Sequence, residues 1–170
     1  MKNIFLIITV VFVLTACTST SHEMMDHPQV TSEEVFIAEM IPHHQEALDS
    51  SLLMLESQNT QVKSLAESII FAQEQEIGMM QEWMRQWYAN SNYESKYQNM
   101  MPDLTSLEGD DKDEAYLRSM IDHHEGAIMM AKQAQELELR SEVYELTEAI
   151  ISTQEDEITQ INQLLDKLDN

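Results

Sequence analysis

Cysteine occurs once in this chain, at position 17, so intrachain disulfides and thiolate metal cages are both excluded. Glycine and proline occur three times each in 170 residues. No stretch alternates polar with β-branched residues, so the pattern points away from sheet and towards helix. Basic residues are scarce as well: nine Lys and Arg stand against 31 Asp and Glu, a formal charge of -22. That imbalance repels phosphate and excludes nucleic acid as a partner. The pattern Glu-x-x-His, which ferritin-like di-metal oxidases carry on two helices, is absent. What the chain has instead is thirteen methionines and six histidines. Any soft-metal chemistry must come from those.

Residues 1–16 read as a lipoprotein signal peptide. Lys2 supplies the positive start, and Ile4 to Leu14 form an apolar run too short to span a bilayer comfortably. Leu14-Thr15-Ala16-Cys17 matches a bacterial lipobox, which implies cleavage before Cys17 and a lipid on its sulfur. The expected mature protein is then exported and tethered to the cell envelope, at a periplasm-facing membrane or the cell surface. Losing Lys2 moves its charge from -22 to -23.

Residues 17–30 form a polar tether, and 31–170 suit one domain with a proper core. Thr31 with Glu34 fits a capping box opening a first helix that runs to about Ser57. A second helix is expected over about Gln61 to Tyr88, a third over Lys112 to Leu137, and a fourth over Ser141 to Leu168. The linker 89–110 is long enough, at up to ~70 Å extended, to cross a helix of ~40 Å. The sequence leaves open whether it does.

The two halves, 31–88 and 111–168, repeat. "MIPHHQEA" at residues 40–47 returns as "MIDHHEGA" at 120–127, so Met40, Ile41, His43, His44 and Ala47 match residues 80 positions on. After the turn the offset becomes 81, and Gln73, Glu74, Glu76 and Ile77 meet Gln154, Glu155, Glu157 and Ile158. Two similar αα-hairpins predict an all-α four-helix bundle.

The apolar stripe of helix one, Ile37, Ile41, His44, Leu48, Leu52 and Leu55, carries one histidine, with His43 at its edge. Helix three repeats this with Leu117, Ile121, His124 and Ile128. The facing helices are interrupted by Gln73 and Glu76, and by Gln154 and Glu157. Counting back from the turns puts all of these at one level. The predicted layer holds His43, His44, Gln73, Glu76, His123, His124, Gln154 and Glu157, flanked by Met40 and Met120. Burying it costs several kcal/mol unless its groups are paired or bind metal. It is then either a hydrogen-bonded layer that fixes register in a structural or adaptor lipoprotein, or a metal site. Pro42 kinks helix one beside the histidines, but its counterpart is Asp122, so the kink is no part of the repeat.

Thioethers favour Cu(I), and by extension Ag(I). Met40 and Met120 precede the histidines by three and four residues, a ligand spacing on a helix. Met129 and Met130 match Asp49 and Ser50, so they either build an extra site in the second half or cover surface. His22, Met24, Met25 and His27 form a candidate metal-capture arm. With only Glu76 and Glu157 as carboxylates in the layer, a ferritin-like di-metal oxidase is the weaker alternative.

The stretches "FIAEMIPHHQEA", "YLRSMIDHHEGAIMMAKQA", "AQEQEI" and "TQEDEI" resemble the bacterial domain-of-unknown-function family 305, over about residues 31 to 168. The resemblance implies a ferritin-like four-helix bundle, often exported. It also implies copper or silver binding through Met and His in some members, which contribute to copper tolerance. Carried onto this sequence, it offers Met40, His43, His44, Met120, His123, His124, Met129 and Met130 as ligands. Partners are then copper-handling envelope proteins and the membrane that holds the lipid.

Overall fold

A computed structural model describes residues 29–168. The expected signal peptide, the lipidation site Cys17 and the arm residues His22, Met24, Met25 and His27 lie outside them. Four helices account for most of the chain: α1 (Glu33–Leu52), α2 (Thr60–Trp87), α3 (Gly109–Gln135) and α4 (Ser141–Leu168). Among the described residues there is no strand, and no helix is long and apolar enough to cross a membrane.

The ends of the helices follow from local chemistry and depart from the sequence expectation at both ends of α1 and at α3, which begins at Gly109, inside the expected linker, and not at Lys112. The cap of α1 is Ser32 and not Thr31; its hydroxyl accepts the Val35 amide at 3.2 Å. Starting one residue later turns Glu33 towards the α3–α4 turn, where it accepts the Arg140 amide and pairs with the Arg140 guanidinium. The far end of α1 stops at Leu52, not Ser57, and tightens into a 3₁₀ turn over Leu53–Glu56. Ser57 then spans the turn, donating to Asp113 at 2.9 Å and accepting the Asn59 amide at 3.0 Å. Asn59 caps α2 by accepting the amides of Gln61 and Val62. Gly109 opens α3 at φ +57°, a conformation that other residues enter only with strain.

The chain is a four-helix bundle. Each hairpin packs mainly within itself, α1 on α2 and α3 on α4. The hairpins then meet through α1 against α3 and, less extensively, α2 against α4. Cross-contacts fix the direction: Ser51 meets Tyr116 at 2.7 Å, Ser57 meets Asp113, and the Val30 amide donates to Gln133 at 3.1 Å. Rising numbers on α1 face falling numbers on α3, so the two are antiparallel. The segment after α2 must therefore run the length of the bundle to reach the start of α3, and it does so along α1. The crossover that the sequence left open is settled.

The core is in two pieces. One cluster contains Met54, Leu65, Ile69, Tyr116, Leu117, Met120 and Ile161, and the other Phe36, Ile37, Met40, Met80, Met130 and Ile150. On every helix buried polar residues lie between the two clusters: His43 and His44, Gln73, His123 and His124, Gln154 and Glu157. Burying the two apolar clusters supplies the stabilisation that offsets the cost of that layer.

The buried face of α1 differs from the predicted stripe. Phe36, Met40, His43 and Ala47 are fully buried, whereas Ile41 and Leu48 are only half-buried and Leu52 is 45% exposed. His43 is a core residue, not an edge one. The cause is that α1 is covered on more than one side, by α2, by α3 and by the crossover. A single 3.6-residue stripe describes a helix with one covered side.

Candidate metal centre

The middle layer sorts its four histidines into two kinds. His44 on α1 and His124 on α3 reach across their own hairpins to a carboxylate. His44 Nε2–H donates to Glu76 Oε2 at 2.7 Å. His124 Nε2 lies 2.8 Å from Glu157 Oε2, close enough for an ion pair although its N–H is not aligned as a hydrogen bond. In both rings the second nitrogen, Nδ1, is buried without a hydrogen-bond partner. The two glutamines of the layer share that condition: both amide atoms of Gln73 and the Oε1 of Gln154 are buried and unpartnered. Leaving such groups unmet costs about 1–3 kcal/mol each.

His43 and His123 instead meet each other between α1 and α3. Their rings lie 3.9 Å apart at 46°, and His123 Nε2–H donates to the His43 carbonyl at 3.1 Å. Neighbouring rings along each helix are 6.2 and 6.3 Å apart, so the four imidazoles form one continuous group.

Tyr97 of the crossover covers this pair. Its ring packs edge-on against His43 at 5.3 Å, and its hydroxyl lies 3.5 Å from His123 Nε2. That hydroxyl donates to Glu46, whose Oε2 is itself 3.6 Å from His123 Nε2. Burial, reinforced by the bond to Glu46, pushes the Tyr97 phenol far above the usual tyrosine range, so it stays a protonated donor. Glu46 also accepts the amides of Met100 and Met101, at 2.9 and 3.1 Å. About two turns earlier, fully buried Glu39 accepts Tyr93, Ser95 at 2.8 Å and the Lys96 amide at 2.8 Å. Burial, followed by the bond to Glu39, raises the Tyr93 phenol to about 12. Two carboxylates on α1 thus strap the crossover down.

The structure brings together His43, His44, His123, His124, Glu76 and Glu157. It buries Gln73 and Gln154 but leaves both amide atoms of Gln73 and the Oε1 of Gln154 unbonded to that group. It places Met40 and Met120, both fully buried, in the apolar clusters on opposite sides of the layer, as the antiparallel pairing of α1 with α3 requires. Met130 joins the cluster of Met40, whereas Met129 is half-buried in a surface groove between α3 and α4, beside Glu125, Lys132 and Glu155. Those two methionines therefore do not share one place. Among the described residues, no three His, Cys, Asp or Glu side chains converge on a point as a preformed cage. Sequence reasoning missed Glu39, Glu46 and Tyr97. The mismatches of the repeat carry the signal, since Glu39 and Glu46 stand where the second half has Ser119 and Gly126.

The family model "Domain of unknown function (DUF305)" matches residues 33–165. No curated protein matches the chain. Among solved structures it is similar to CopM in the Cu(I)-bound form, at 32% identity and a TM-score of 0.73, covering 80% of this chain and 96% of that one. CopM also appears with Cu(II) and with Ag bound, at the same identity and TM-scores of 0.72 and 0.70. A DUF305 fragment from Deinococcus radiodurans is 30% identical with a TM-score of 0.71, over 82% of this chain and 99% of its own.

Proposed function

The chain belongs to the DUF305 family, and from that premise we propose that it binds Cu(I) or Ag(I) in the cell envelope, to sequester the ion or hand it on, without catalysis. The proposed ligands are His43, His44, His123 and His124, with Met40 and Met120 as thioether donors; the copper and silver forms of CopM support the choice of ion. The observation that carries this reading is the state of His44 and His124. Each turns Nε2 to a carboxylate and keeps Nδ1 buried and unpartnered. A carboxylate on the far nitrogen is the usual support for a metal-binding imidazole: it orients the ring and raises the basicity of the free nitrogen. Imidazole and thioether without thiol or clustered carboxylates suit a soft monovalent ion. Export, and a lipid on Cys17 that holds the protein at the envelope, belong to the same proposal and rest on the leader and lipobox.

Anaerobic Cu(I) titration against a competing chelator tests this. Binding tighter than micromolar is expected, and a variant with all four layer histidines replaced by Ala should lose it. Micromolar or weaker binding, unchanged in that variant, overturns the proposal.

A second reading has its own support. The His44–Glu76 and His124–Glu157 contacts tie the two helices of each hairpin at matching levels, which is what a register-fixing layer needs. It predicts that chelation leaves the melting temperature unchanged. A folded-state ligand at a hundred times its Kd adds about 2.7 kcal/mol.

A further inference from the structure

Glu46 holds two positions at once: it is the clasp of the crossover and a neighbour of the histidines. Its Oε2 accepts Tyr97 and Met100, and its Oε1 accepts Met100 and Met101. The same Oε2 stands 3.6 Å from His123 Nε2. Two donors that each sit about 2 Å from a shared ion, at a bent angle, are separated by about that distance. The Tyr97 hydroxyl, 3.5 Å from the same nitrogen, fills the region such an ion would enter. An ion cannot occupy that space while the hydroxyl remains.

We infer that residues 97–101 are a metal-responsive strap: an ion taken up beside His43 and His123 recruits Glu46, and Tyr97, Met100 and Met101 are released from it. The exchange balances simply. His123 moves its ring proton from Nε2 to Nδ1 through solvent, so the ring stays neutral while Nε2 and the Glu46 carboxylate become available to the ion, and the Tyr97 O–H and the two amides exchange Glu46 for water. The strap then reports occupancy of a fully buried site to the protein surface, beside α1. Glu39 provides the internal reference, since Tyr93, Ser95 and the Lys96 amide, which it accepts, all belong to the preceding part of the crossover. That clasp stays closed.

This inference rests on the proposed metal binding, and the two fail differently. Amide hydrogen exchange is followed on the full chain with and without one equivalent of Ag(I), a redox-silent probe, while calorimetry records binding. Exchange at Met100 and Met101 should rise about tenfold on loading while Lys96 changes little, because local opening frees only the first clasp. Stoichiometric Ag(I) binding with Met100 and Met101 unchanged or slowed overturns the strap and leaves the metal proposal standing. Absence of Ag(I) binding overturns both. Without metal, Glu46→Gln should already speed exchange at Met100 and Met101. Tyr97→Phe, which keeps the ring on His43, should quicken Ag(I) uptake by several-fold. If neither variant departs from the parent chain, the clasp is not what holds the strap.

Discussion

The first hairpin and the second hairpin give the layer the same donors and treat their outer faces differently. Both contribute two histidines, one glutamine and one glutamate at matched positions, and in both the second histidine of the pair turns to a glutamate of its own partner helix. The crossover, however, passes along α1 only. The positions that hold it there, Glu39 and Glu46, are Ser119 and Gly126 in the second hairpin. Gly126 is buried without a side chain to aim, and Ser119 merely donates to Ala115 of its own helix at 2.6 Å. The bundle is thus a near-symmetric site inside an asymmetric cover. What is doubled concerns the layer, and what is single concerns access to it.

Replacing Glu39 and Ser119 in turn gives the widest contrast. Glu39→Ala removes a carboxylate that satisfies three donors. Water reaches part of them and the desolvation cost of the carboxylate is recovered, so the expected loss is about 3 kcal/mol in urea denaturation. Ser119→Ala removes a bond internal to α3 and brings in a better helix former, so stability should move by less than about 0.5 kcal/mol. Comparable effects at the two positions would mean that the crossover is not anchored as described.

The methionines test the doubled part. Met40→Leu and Met120→Leu are nearly volume-conserving, so each should cost less than about 1.5 kcal/mol of stability. If both thioethers bind the ion, each change should weaken Cu(I) binding about tenfold and by the same factor, or about 1.4 kcal/mol. A drop confined to Met40 would move the site to the side of the layer that also holds Met130.

The contrast also explains what could be seen in the sequence. The repeat of "HH" at one spacing and of Gln73 and Glu76 at another was enough to place the layer, because a short turn in each hairpin brings residues equally far from it to one level. The bundle itself was legible for the same reason. The burial of His43 was not, since periodicity along α1 cannot know that a segment 50 residues later lies along it. Glu39 and Glu46 are two of 31 acidic residues, and only their partners Tyr93, Ser95 and Tyr97 distinguish them from solvated charge. Met129 and Met130 were adjacent in sequence and therefore grouped, whereas a helix turns neighbours to different faces.

The smallest effect probes α2 and α4, the helices that support the layer from outside. Gly78 lies on the exposed side of α2, two residues beyond Glu76, and a Cβ placed there meets nothing within 4 Å. Its counterpart on α4 is Thr159, whose hydroxyl bonds back to Glu155 at 3.1 Å. Glycine inside a helix costs conformational entropy and brings no contact in return, so Gly78→Ala should stabilise the bundle by about 0.5–1 kcal/mol. Thr159→Ala should gain somewhat less, since threonine begins from a better propensity. If α2 flexes at Gly78 to let Glu76 follow His44 during ion uptake, Gly78→Ala should also slow Ag(I) loading while Thr159→Ala does not. Equal loading rates in both variants, with the stability gain intact, would make Gly78 a passive position and α2 as rigid as α4.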